Sequence, residues 1–195
     1  MTDIILASAS PRRAELLSQI GISYQIQAVD IDESSLPNET PEALVQRLAR
    51  EKSCAVKNAQ IPVLGSDTLG VLDGELLVKP LDYQHALSML STMSGRWHEI
   101  LTAVAITYSG ETKLKLNRNR VLFRQISNEE ILAYWKSGEP QDKAGAYAIQ
   151  GLGACFIERI EGSYSGIMGL PLFETSQLLE QFGISVISKT RVNKK

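Results

Sequence analysis

Apolar residues fall in short runs separated by turn chemistry, a spacing that predicts alternating strands and helices. Ile4-Ile5-Leu6 reads as a short buried strand, followed by a hydroxyl-bearing turn from Ser8 to Ser10. Pro11 then opens a helix with Ser10 at its N-cap, and Gly21 ends it. Ile22 to Val29 alternates loosely and suggests a second strand. Thr40-Pro41-Glu42 is a helix start, and the helix runs to about Lys57. On its apolar stripe Leu44 and Leu48 lie four apart, and the next position is Lys52. Ile61 to Gly65 is a short apolar strand that gives way to Ser66-Asp67-Thr68. Asp73-Gly74 between two apolar runs predicts a hairpin pairing Leu72 with Glu75. Counted outward, that register sets Thr68 opposite Lys79 and brings Asp67 beside Lys79 at the hairpin mouth.

The second half continues the alternation. Asp82 caps a helix that Gly95 ends, and Trp97 to Tyr108 is apolar on both faces, as a central strand should be. Ser109-Gly110 turns the chain into a strand from Thr112 to Arg124 with one face toward water. Ser127-Asn128-Glu129-Glu130 is a capping box, and Gly138 with Pro140 closes that helix. Ala154 to Ile160 reads as a strand and Gly162 to Pro171 as a glycine-rich loop. Leu172 to Phe182 is an amphipathic helix, Ile184 to Ile187 a last short strand, and the basic tail to Lys195 is expected to fray.

With 195 residues and 44% hydrophobic content, the chain can bury one respectable core as a single domain or two closely packed lobes. A net charge of −2 disfavours a polybasic surface for a nucleic-acid polymer, so any anionic ligand must meet a local cluster. No segment approaches the roughly 20 apolar residues of a membrane helix, and the apolar N-terminal run is shorter than a secretory core. The expectation is a cytoplasmic protein without a membrane partner. Cys54 and Cys155 lie in a helical and a strand-like run and read as reduced packing residues. His85 and His98 are isolated, so a metal here would be a hard cation held by carboxylates and phosphate oxygens.

Four places carry candidate chemistry. Arg12 and Arg13 occupy the first turn of the first helix, where the macrodipole disfavours cations, and a bound anion would repair that conflict. Lys52 either snorkels to the helix edge or points into a polar cavity as a phosphate ligand. Asp30, Asp32 and Glu33 precede a loop rich in Ser, Pro and Asn; they are either solvated, or Glu33 supplies a carboxylate to a divalent metal. Gln150, between Ile149 and Leu152, offers an amide suited to a nucleobase edge or to a buried backbone group. Neither a Walker loop nor a GxGxxG fingerprint occurs.

Taken together, Ser8-Ala9-Ser10-Pro11-Arg12-Arg13, Gly65-Ser66-Asp67-Thr68, Lys79-Pro80, Asp142 to Gly151 and Gly169-Leu170-Pro171 resemble the Maf family in order and spacing over nearly the whole chain. Ser66 stands where alanine is usual, Ala148 where glycine is frequent and Met168 where valine is frequent. The resemblance implies an α/β, Maf/ITPase-like fold, with a long mixed twisted sheet flanked by helices and two lobes around a cleft, in one domain over residues 1–195. It implies a homodimeric nucleoside triphosphate pyrophosphatase of the branch acting on dTTP and UTP, using Mg²⁺ or Mn²⁺, with a house-cleaning role or a role in division arrest. By position, Asp67 matches the proton acceptor and a metal ligand with Glu33. Arg12, Thr68 and Gln150 match positions tied to substrate choice, and Ser8, Arg12, Arg13, Lys52 and Lys79 the phosphate-binding lining. The alternatives are a 7-methyl-GTP pyrophosphatase and a nucleotide-binding regulatory module without turnover.

Overall fold

The computed structural model describes residues 2–187, so the expected frayed tail beyond Ile187 lies outside the described residues. Among the described residues seven strands form one mixed sheet: β1 (Ile4–Leu6), β2 (Tyr24–Ile26), β3 (Val63–Leu72), β4 (Glu75–Leu77), β5 (Trp97–Tyr108), β6 (Glu111–Phe123) and β7 (Ile157–Glu161). Their order is β2-β1-β3-β5-β6-β7, with β4 on β3. β1 runs parallel to β2 and β3, while the β3–β4 and β6–β7 pairs are antiparallel. Among the described residues six α-helices accompany the sheet: α1 (Pro11–Gln19), α2 (Pro41–Cys54), α3 (Tyr83–Met93), α4 (Asn128–Lys136), α5 (Tyr164–Met168) and α6 (Leu172–Gln181). Among the described residues no helix is long and apolar enough to cross a membrane.

The chain gathers into two compact units. One holds the residues up to Asp67, Thr102–Asn117 and the chain from Gly169; the other holds Thr68–Leu101 and Arg118–Met168. The first has Ile4, Leu6, Leu17, Leu48, Leu64 and Ile106 in its core. The second is centred on Leu90, Phe123, Ile131 and Phe156.

Local chemistry explains where elements begin and end. Thr40 Oγ1 accepts the Ala43 N–H at 3.2 Å and Pro41 opens α2, as the spacing predicts. The helix stops at Cys54, before Lys57, and Asn58 takes a left-handed conformation (φ 54°) that redirects the chain. At α4 the capping box is complete in both directions. Ser10 occupies the α1 N-cap position but makes no capping bond, which leaves the first-turn N–H groups without a side-chain acceptor there.

Several expectations change. β3 runs unbroken through Ser66-Asp67-Thr68, so Asp67 lies within a buried strand and not at a strand end. The hairpin pairs Leu72 with Glu75 as expected, but its ladder closes at Gly70 and Leu77. Lys79 follows β4 as an exposed residue outside that ladder, so the predicted Thr68–Lys79 pairing is not formed. β2 covers only three residues of the Ile22 to Val29 run. The Ala154 to Ile160 run begins as a 3-10 turn over Leu152–Phe156 and becomes a strand only at Ile157. Gly162 to Pro171 contains α5, because Ser163 Oγ accepts the Gly166 N–H at 3.1 Å and starts a helical turn. Ile184 to Ile187 is not a strand. Gly183 (φ 76°) ends α6, and the Ile184 N–H closes the helix end on Leu179 O at 2.9 Å, so the residues after it leave the helix without joining the sheet. Cys54 and Cys155 are free thiols, yet both are exposed and not packing residues.

His98, 2% exposed, sits in the core of the second unit, edge-on to Phe123 and Tyr147. Its Nε2 lies 2.7 Å from the Tyr147 hydroxyl, while Nδ1 is buried without a partner. Burial pushes its pKa down to about 4, so the folded state holds the ring neutral where an unfolded histidine is protonated. The resulting stability is complete above the unfolded pKa near 6.5 and is lost as pH falls from there to about 4. The loss amounts to about 3 kcal/mol at about 1.4 kcal/mol per pH unit. Urea unfolding at pH 7 and pH 4 should therefore show a drop in wild type that exceeds the drop in His98→Leu by that amount. Equal drops would show that His98 stays uncharged in both states or charges in both.

Candidate active site

A glycine fixes the distance between α2 and β3. A Cβ at Gly65 would collide with the Ala49 carbonyl and the Ser53 amide of α2, so only glycine lets the helix lie so close to the strand. Ala49 and Ser53 bracket Lys52 on the buried stripe of α2, and Asp67 stands two residues beyond Gly65 on β3. The result is a buried ion pair: Lys52 Nζ lies 2.6 Å from Asp67 Oδ1, with Lys52 8% and Asp67 6% exposed. Lys52 therefore points inward and does not snorkel. The same Nζ lies 2.6 Å from Glu33 Oε1 at the solvent side, so two carboxylates converge on one ammonium.

The second half of the cluster comes from the β1–α1 turn. Ser8 Oγ accepts from the Ser10 amide at 3.2 Å and from Arg13 Nη1 at 3.0 Å. Arg13 Nε donates to the Gly169 carbonyl at 2.9 Å, which also lies 3.0 Å from the Ser66 hydroxyl. Ser66 reaches the Ala103 carbonyl as well, at 2.8 Å, so its buried hydroxyl has acceptors within the sheet. Satisfied polar groups of this kind let β3 continue through Ser66 and Asp67 where the sequence suggested a strand end.

The charges act on one another. Burial raises the Asp67 pKa above its ordinary 3.8; Lys52 and Arg13 pull it back, and Glu33 pushes it up again. Burial also lowers the Arg13 pKa, which Asp67 opposes and the neighbouring Arg12 reinforces. An arginine remains protonated under such conditions. The cluster therefore has unbalanced positive charge at the uncapped start of α1, where anions bind readily.

Glu33 reaches Lys52 because its loop is tied down. Arg47 of α2 forks onto Glu39 at 2.8 and 2.9 Å and donates to the Ser34 carbonyl at 2.8 Å. Neither Arg47 nor Glu39 was singled out from the sequence, since an ion pair between a loop and the helix after it has no periodic signature. Gly65 and Gly169 carry no side-chain chemistry for the sequence to show; one acts through an absent side chain and the other through a carbonyl.

The structure thus brings together Ser8, Arg13, Glu33, Lys52 and Asp67 in one unit, with Arg12 beside Arg13 in the half-buried first turn of α1. Thr68, Lys79 and Gln150 belong to the other unit. Thr68 is partly buried on β3, Lys79 is exposed after β4, and Gln150 is exposed in a turn between buried Ile149 and half-buried Gly151.

A family model described as Maf-like protein matches residues 3–182. The chain belongs to the Maf family. A Maf relative from Hahella chejuensis (strain KCTC 2396), named dTTP/UTP pyrophosphatase, is 50% identical over 190 residues, covering 95% of this chain and 94% of its own. Proteins of the same name from Methylobacillus flagellatus (strain ATCC 51484 / DSM 6875 / VKM B-1610 / KT) and Nitrosomonas europaea (strain ATCC 19718 / CIP 103999 / KCTC 2705 / NBRC 14298) are each 52% identical. The alignments cover 95% and 94% of this chain and 96% of each relative. Among solved structures, a HAM1 protein from Coxiella burnetii aligns with 93% of this chain and 100% of its own, at a TM-score of 0.49 and 16% identity.

The donor set also bears on a metal. Among the described residues no three His, Cys, Asp or Glu side chains gather to hold an ion unaided. Asp67 and Glu33 nevertheless converge on a single cationic centre, and an all-oxygen pair suits a hard divalent cation whose other positions are filled by phosphate oxygens and water.

Gly65→Ala should force α2 away from β3, lowering stability by about 1–3 kcal/mol in urea unfolding, as overpacking does. Nucleotide turnover should fall further than stability does, because Lys52 moves with the helix. Wild-type stability and turnover in this variant would show that the close approach is not needed.

Proposed function

We propose that the protein hydrolyses dTTP and UTP to the monophosphate and pyrophosphate. The observation that carries the reading is the buried Asp67 held by Lys52 at 2.6 Å, a carboxylate poised to accept a proton beside phosphate-binding cations. The substrates come from the Maf relatives about half identical to this chain, named dTTP/UTP pyrophosphatase.

In this reading the triphosphate lies against the start of α1. Arg12 and Arg13 bind phosphate oxygens with guanidinium geometry, and Lys52 exchanges part of its carboxylate pairing for a phosphate oxygen. Ser8 orients Arg13 through the 3.0 Å bond to Nη1. Asp67 orients the attacking water and takes its proton as the new bond forms at the α-phosphorus and the bond to the pyrophosphate leaving group breaks. Glu33 and Asp67 would hold Mg²⁺ or Mn²⁺. That ion, when bound, offsets charge on the phosphate oxygens. Lys79 assists with phosphate charge, and Thr68 and Gln150 read the pyrimidine edge. A homodimer in the cytoplasm completes the proposal.

The test is to incubate the protein with UTP and Mg²⁺ or Mn²⁺, resolve the products by ³¹P NMR, and repeat with 7-methyl-GTP. UMP and pyrophosphate, with 7-methyl-GTP spared, is the expected result. UDP and phosphate would place the attack at the wrong phosphorus, and turnover of 7-methyl-GTP alone would reassign the substrate.

A further inference from the structure

The turn that carries Gln150 is held from both sides by two residues with no assigned part in the reaction. Gly151 N–H closes the turn on the Ala148 carbonyl at 3.4 Å, which puts Gln150 third in a four-residue turn. Before it, the Ala148 N–H donates to the Tyr134 hydroxyl oxygen at 3.2 Å. After it, the Leu152 and Gly153 N–H groups donate to Glu139 Oε2 and Oε1 at 2.8 and 3.0 Å. The two anchors are themselves joined, since the Tyr134 hydroxyl donates to Glu139 Oε1 at 2.6 Å. All of these residues lie in the second unit.

We propose that Tyr134 and Glu139 are positioning residues for base selection, clamping the Ala148–Gly151 turn so that the Gln150 backbone, and with it the place its side chain reaches from, is fixed. The small residues of the segment fit this clamp. A Cβ at Gly151 would collide with the Glu139 carboxylate, and one at Gly153 would lie 2.7 Å from the Tyr134 oxygen and 2.8 Å from the Ala148 carbonyl. Burial pushes the Glu139 carboxyl up, but the Tyr134 hydroxyl and the two backbone donors outweigh it and hold the group ionised. An ionised carboxylate only accepts, which is what three converging donors require. A side-chain hydrogen bond discriminates between bases only if its backbone is held at a fixed place relative to the base, because a turn that moves carries the amide out of reach.

The inference rests on the reading of Gln150 as the base contact, and the experiment separates the two. kcat and KM are measured for UTP and CTP in wild type, Gln150→Ala, Glu139→Gln and Tyr134→Phe. Tyr134→Phe keeps the ring that packs edge-on to Phe156 at 5.0 Å and removes only the hydroxyl, so it decides the matter if Glu139→Gln does not fold. All three substitutions should lower the UTP-to-CTP ratio of kcat/KM by about tenfold, the worth of one well-placed hydrogen bond. The loss should appear in KM for UTP and not in kcat. If Gln150→Ala loses the ratio while both clamp variants keep it, or if they slow the two nucleotides equally, the clamp has no part in selection. An unchanged ratio in Gln150→Ala overturns the reading of Gln150 and the clamp with it.

Discussion

One ion pair sets the terms for the unit that holds β1, α1 and α2. Lys52 and Asp67 are both buried, and a buried charge that loses its partner costs about 3–5 kcal/mol, so each holds the other in place. The pair exists only because Gly65 has no side chain between α2 and β3. Two further features follow from it. β3 can carry an aspartate through its middle without breaking, and Glu33 finds a cationic partner at the solvent side of the same ammonium. Burial holds Asp67 closer to neutrality than a surface aspartate while Lys52 keeps it from going all the way, a balance that suits a proton acceptor better than full solvation or full pairing would.

Most elements could be read from the residues because their signals are local. Thr40-Pro41, Asp82 and Ser127 cap the helices that follow them, and Asp73-Gly74 turns the hairpin with the expected Leu72–Glu75 register. What misled was polarity without its partner. Ser66-Asp67-Thr68 looked like a strand end because the Ala103 and Gly169 carbonyls and Lys52, which absorb that polarity, are distant in sequence. Ile184 to Ile187 looked like a strand because the segment is apolar, but its first residue is used to close the end of α6, a cap that depends on the left-handed Gly183. Lys52 was legible as an oddity on an apolar stripe, but choosing between solvent and cavity required Asp67 to be in view. Arg47 and Glu39, which tether the Glu33 loop, gave no signal at all.

The two units use the same device in different forms. In one, a glycine admits a helix close enough for a lysine to meet an aspartate; in the other, Gly151 and Gly153 admit Glu139 and Tyr134 close enough to bind backbone amides. In both cases the missing side chain matters because of what it lets approach. Gly65, Gly151 and Gly153 thus mark places where polar groups are brought into fixed contact.

The central claim is that Asp67, in its Lys52 cradle, removes the proton from the attacking water, so that its carboxylate matters far more to turnover than to nucleotide affinity. The most direct test compares wild type and Asp67→Asn in two measurements: kcat for UTP, and the Kd of a UTP analogue with an α,β-methylene bridge that resists cleavage. Turnover should fall by about 10²–10⁴, the usual worth of a general base, with a much smaller change in the Kd of the analogue. Retained turnover, or a loss of affinity that accounts for the whole decrease, would contradict the claim.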